Sequence, residues 1–152
     1  TGLKIAPYYG CMLCRPRDVG IEPIGSFKLM THLFEALGAR VLPFQAADHC
    51  CGSYQSLANP EAAKNAVLTI LTAAKRVGAN ALVSSCPLCE FNLRSKEIEL
   101  LREKSISDSI PIFYFTQLLA LAMGLSPEDC RFDLNMEASR GILREKNLVL
   151  GL

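Results

Sequence analysis

The sequence predicts an α/β fold: a four-stranded parallel sheet of order 2-1-3-4 with helices on both faces, in a single domain that ends in an irregular tail. Three observations carry the prediction. Short apolar runs alternate four times with segments whose apolar residues recur every three to four positions, the pattern of strand–helix units around a parallel sheet. Right-handed crossovers between such strands favour the order 2-1-3-4. Five of the seven cysteines also fall just past the first three apolar runs, where sheets of this kind bind ligands.

The first run, Leu3–Tyr9, reads as a strand that turns at Gly10-Cys11. Pro16, Gly20 and Pro23 mark a loop. Ser26 is the expected N-cap of a helix to about Leu37, with Phe27, Met30, Leu33, Phe34 and Leu37 on its buried face and Gly38 as its stop. Arg40–Phe44 reads as a second strand, and Pro43 restricts it to incomplete pairing. After the loop Gln45–Gly52, Asn59 and Pro60 open a helix that runs to about Val77 and closes at Gly78. Asn80–Ser85 is a third strand, small and apolar enough to be covered on both faces. Pro87 starts a helix over 87–104, Ile110–Phe115 is the fourth strand, and Thr116 is the expected cap of a helix to Met123 and Gly124. Beyond Ser126 the pattern weakens to a short strand or loop near Arg131–Leu134 and a helix near Met136–Lys146. This divides the chain into a domain, 1–125, and an extension, 126–152, that packs on the domain or on a partner.

Composition bounds the function. The chain has 152 residues, 50% hydrophobic and 20% charged, as expected of one globular domain. A domain of this size buries roughly 70% of its unfolded surface and needs no disulfides for a core. Sixteen basic residues against fifteen acidic ones leave a net charge of +1, which argues against nucleic acid as a partner. No apolar run approaches the roughly 20 residues that span a bilayer. The chain begins at Thr1 without a methionine, as expected of a processed chain or a piece of a longer one. Seven cysteines, some adjacent or two apart, fit metal binding or redox work in a reducing cytoplasm better than disulfide pairing.

The cysteines form one constellation: Cys11, then Cys50-Cys51-Gly52, then Cys86-Pro87-Leu88-Cys89. Thiolates are soft ligands suited to iron–sulfur clusters or zinc. Cys86 and Cys89 share the first turn of a helix, whose N-terminal partial positive charge favours thiolate. Adjacent Cys50 and Cys51 address two different irons more easily than one, and Gly52 permits close backbone approach or positive φ. A tetrahedral zinc takes four ligands, so five converging thiols favour a polynuclear centre. Zinc, native or as a substitute, remains the second reading. Buried inert thiols and a thioredoxin-like use of Cys86-x-x-Cys89 leave more of the pattern unexplained.

This spacing resembles the cysteine-rich CCG domain: Cys, thirty-odd residues, Cys-Cys-Gly, thirty-odd residues, Cys-Pro-x-Cys. The match covers residues 3–125. Together with Tyr8-Tyr9-Gly10-Cys11 and Arg15-Pro16, it resembles the C-terminal repeat of the heterodisulfide reductase B subunit and its relatives among succinate dehydrogenase and fumarate reductase subunits. The resemblance implies a non-cubane [4Fe–4S] cluster on Cys11, Cys50, Cys51, Cys86 and Cys89, one-electron chemistry, and reduction of a disulfide. It further implies a second CCG repeat as partner, with other iron–sulfur or flavin subunits, and membrane association only through such partners.

Of the remaining residues, His49 is a possible catalytic group that could hand a proton to a leaving thiolate, or a plain loop histidine. Cys14 reads as a neighbouring free thiol or a supplementary ligand, and Cys130 as structural. Arg15 could attract an anionic substrate or serve only as surface. His32 reads as structural.

Overall fold

The computed structural model describes residues 2–149. Four parallel strands form one sheet in the order β2-β1-β3-β4: β1 (Lys4–Tyr8), β2 (Arg40–Val41), β3 (Ala81–Ser84) and β4 (Ile112–Tyr114). Five α-helices connect or follow them: α1 (Lys28–Ala36), α2 (Pro60–Arg76), α3 (Pro87–Arg102), α4 (Phe115–Ala122) and α5 (Glu137–Glu145). The predicted class and strand order are those observed.

Alternating side chains send each strand into two cores, as a pleated sheet covered on both faces requires. Ala6, Tyr8, Leu82 and Ile112 enter one core with Val67, Ile70 and Leu71 of α2 and Leu93 and Leu100 of α3. Ile5, Ala81, Val83 and Phe113 enter the other with Met30 and Phe34 of α1 and Leu118 of α4. Phe132 and Leu143, from beyond Ser126, are fully buried in that second core. The outer edge of β4 is closed there by side chains. Ser139 Oγ lies 3.0 Å from both the amide and the carbonyl of Ile112, and Asn135 Nδ2 donates to the same carbonyl at 2.9 Å. An edge satisfied in this way offers less for another chain to pair with.

Several local expectations are corrected. The second strand is two residues, not Arg40–Phe44; the chain leaves the sheet before Pro43, whose ring removes a ladder donor. Ser26 does not cap α1. Phe27 stands there in the left-handed region (φ 51°), and the Glu22 carboxylate accepts from Lys28 N and Leu29 N instead. Thr116 is inside α4, which starts at Phe115. Gln117 Oε1 reaches back to accept from Tyr114 N at 3.1 Å. The stretch near Arg131–Leu134 is a 3-10 turn over Phe132–Leu134. Asn59 does cap α2, accepting from Ala62 N at 3.1 Å.

Candidate metal centre

Register brings the cysteine turns together. Tyr8 of β1 pairs with Ser84 of β3, so the turns carrying Cys11 and Cys86 leave the sheet side by side. The loop between β2 and α2 is clipped to the end of β1, because the Ala47 carbonyl accepts from Tyr9 N (2.8 Å) and Gly10 N (3.1 Å). Ser85 Oγ donates to Tyr9 O at 3.0 Å. Ser84 Oγ lies 3.3 Å from Cys86 N and 3.0 Å from Cys86 O, which sets Cys86 as the N-cap of α3.

Four sulfurs, those of Cys11, Cys50, Cys51 and Cys89, lie near one phenol, that of Tyr8. Cys51 Sγ lies 3.3 Å from Cys89 Sγ, Cys11 is near enough to Cys50 to feel its charge, and Cys89 to feel that of Cys86. Tyr8 is fully buried beside them, and its hydroxyl donates to His49 O at 2.6 Å. Burial, then Cys89, Cys51, Cys50 and Cys11, push this phenol far above its usual range, so it remains a donor. Cys51 and Cys89 are joined by a hydrogen bond. A hydrogen bond from Cys89, working against burial, pulls Cys51 down to about 6, and the same contact holds Cys89 far up. Burial and then Cys50 raise Cys11.

Two glycines shape the site. Gly10 has φ +65°, and a Cβ there would sit 3.2 Å from Cys89 Sγ, so the missing side chain leaves room before that sulfur. Gly52 has φ +76°, and a Cβ would lie 2.9 Å from the Ala63 Cα of α2. Only glycine lets the cysteine loop sit this close to the helix in this conformation.

Among the described residues, no group of three or more His, Cys, Asp or Glu side chains is arranged to hold a metal ion. The donor set is nevertheless that of a thiolate-bound centre: five thiols from three turns, half-buried or buried, with a glycine-made gap before one of them. The residues therefore fit an iron–sulfur cluster in chemistry.

The other candidates lie apart. Cys14 is buried in the opposite core with Tyr9, and Cys130 joins that core beside Phe132; burial raises both thiols. His49 is exposed. It supplies its carbonyl to Tyr8, while its side chain lines a groove with Thr69, Thr72 and Arg76. Sequence reasoning misses Asn92, whose Nδ2 donates to Cys51 O at 2.8 Å. Its place one turn after Cys89 is the available signal, since residues three apart share a helix face.

The sequence model of the cysteine-rich CCG domain matches residues 5–94, more than half of the chain. The chain belongs to the CCG cysteine-rich domain family. Among curated proteins, this CCG chain is 28% identical over 137 residues to the 8-methylmenaquinol:fumarate reductase membrane anchor subunit of Wolinella succinogenes, covering 90% of the chain and 48% of that protein. It is 28% identical over 138 residues to the B subunit of the ferredoxin/F(420)H(2)-dependent CoB-CoM heterodisulfide reductase of Methanosarcina acetivorans, covering 88% and 45%. A protein of Archaeoglobus profundus, named for its likeness to the heterodisulfide reductase B subunit, is 29% identical over 133 residues, covering 84% and 44%. The CCG chain thus spans just under half the length of each. Two of these relatives are, by name, subunits of oxidoreductases. Among the described residues, no helix is long and apolar enough to cross a membrane.

Proposed function

We propose that this chain is the iron–sulfur-binding domain of an oxidoreductase, similar in role to the B subunit of heterodisulfide reductase. Its ligands are Cys11, Cys50, Cys51, Cys86 and Cys89, and its group is a non-cubane [4Fe–4S] cluster. The meeting of the three cysteine turns beside Tyr8, with Cys51 Sγ 3.3 Å from Cys89 Sγ, is the observation that carries the reading. When bound, the cluster supplies one-electron transfer, with a disulfide as the substrate class. The protein contributes the rest. The first turn of α3 favours negative charge at Cys86 and Cys89. The clipped loop holds Cys50 and Cys51 opposite them, and Gly10 keeps the space between. Residues 1–125 form the cluster-bearing part and 126–152 the extension. A second CCG repeat and other iron–sulfur or flavin subunits complete the reaction, because one repeat holds only one such site. Any membrane contact runs through those partners, and the domain itself works in the cytoplasm.

Single substitutions test the ligand set. Cys86→Ser abolishes iron uptake in anaerobic reconstitution, and Cys130→Ser leaves it at the wild-type level, by iron assay on the purified full chain. Equal iron in both variants refutes the assignment.

A further inference from the structure

Two buried side chains hold the carbonyls of the cysteine loop, and neither is a ligand in the proposed set. Tyr8 Oη donates to His49 O at 2.6 Å. Asn92 Nδ2 donates to Cys51 O at 2.8 Å, and Ser56 Oγ donates to Asn92 Oδ1 at 2.8 Å, which fixes which end of the amide faces the loop. Tyr8 is 0% exposed and Asn92 4%. They come from different elements, β1 and α3, and grip the loop at alternate peptides.

A trans peptide is planar, and its N–H points opposite to its C=O. The carbonyl of Cys51 and the amide of Gly52 belong to one such plane. With the carbonyl held by Asn92, the amide is turned the other way, and it meets Cys50 Sγ at 3.4 Å. The carbonyl of His49 and the amide of Cys50 form the other plane, and Tyr8 turns that amide away from the phenol in the same manner. Gly52 makes the arrangement possible, since its φ of +76° is a conformation that a side chain would strain.

We propose that Tyr8 and Asn92 are positioning residues that act on the cysteine sulfurs through these peptide planes: Asn92, by holding the Cys51 carbonyl, presents the Gly52 amide to Cys50 Sγ, and Tyr8, by holding the His49 carbonyl, keeps that carbonyl off the sulfurs beside the phenol. This rests on the reading of the loop as cluster-binding. It adds that the backbone groups facing the sulfurs are set by two non-ligand side chains, and that those side chains tune the bound centre. Hydrogen bonds to cluster sulfurs are among the factors that set reduction potential.

The test uses the full chain with Tyr8→Phe and Asn92→Leu, each close to the native shape. Leu143→Ala, in the opposite core, serves as a control for destabilisation alone. In the reduced metal-free protein, alkylation at each cysteine is followed by mass spectrometry, with Cys130 as the internal reference. Losing one buried hydrogen bond raises Cys51 alkylation about fivefold in either loop variant and not in the control. A rise no larger than the control's overturns the clamp, whether or not the protein binds iron. In the reconstituted protein, both variants keep wild-type iron content and shift the midpoint potential to lower values. An unchanged potential at full iron content overturns the donor role. Failure of the wild-type chain to take up iron sinks the cluster reading, and the alkylation series then decides the clamp by itself.

Discussion

At Gly52 a single missing methyl group decides whether the cysteine loop can rest on α2. The added Cβ of alanine would press on backbone, not on a flexible side chain, and the positive φ would strain it further. Gly52→Ala is expected to destabilise the fold by about 1–3 kcal/mol in urea titration. Glu22 makes a second residue-scale case. It is 6% exposed and serves as the missing cap of α1, accepting from Lys28 N and Leu29 N. Burial alone would raise its carboxyl, but the donors from Lys28, Ser26, Leu29 and Tyr9 together outweigh it and hold the group below its ordinary value. A carboxyl depressed in the folded state contributes stability that is fully present above its unfolded value of about 4 and is lost as pH falls through the folded value. The stability difference between wild type and Glu22→Gln should therefore be constant near neutral pH, on the order of 1 kcal/mol as for other helix caps, and shrink in acid. A difference that does not vary with pH contradicts the ionised-cap account.

Among the elements, α3 joins the site to the core. Its first turn carries Cys86 and Cys89, its next turn offers Asn92 to the loop, and further along it buries Glu97 completely. Glu97 Oε1 accepts from Ile110 N at 2.7 Å, tying α3 to the start of β4. Burial raises this carboxyl, ahead of the opposing pull of that amide. A carboxyl raised in the native state binds its proton more tightly there, so stability falls as pH rises from the unfolded value toward the folded one. Glu97→Gln keeps an acceptor for Ile110 and removes the ionisation, so at neutral pH its thermal midpoint should match or exceed that of wild type. In α5, Gly141 has open space around the position of a Cβ. Gly141→Ala should stabilise the protein by about 0.5–1 kcal/mol through helix propensity, in contrast to Gly52→Ala. The elements themselves are legible because alternation and three-to-four spacing are local properties. Asn59 is legible as a cap because its partner lies three residues away. Ser26 misleads because Glu22 occupies the donors it would have served, from a loop position that only the folded chain brings into reach, and Thr116 misleads because α4 begins one residue earlier, with Tyr114 as its cap and Gln117 accepting from Tyr114 N.

Across the whole molecule, the sheet order decides the site. Neighbouring β1 and β3 deliver Cys11 and Cys86 to one edge, and β2 on the other side of β1 delivers Cys50 and Cys51. The cysteine spacing makes that meeting legible, and strand-end geometry makes it chemically specific. The role of Tyr8 is not legible, because a tyrosine in an apolar strand has no distinguishing local pattern, and that of Asn92 is signalled only by its place one turn after Cys89. Their partners are set by tertiary contact. The second core extends past Ser126 through Phe132 and Leu143, so truncation at residue 125 should expose Phe113 and Val83 and lower the thermal midpoint. The most direct test of the central claim is metal analysis and the visible spectrum of the full chain after anaerobic reconstitution with iron and sulfide. The account predicts broad visible absorption and about four irons per chain. A colourless protein that holds about one zinc, or no metal, after the same treatment contradicts it.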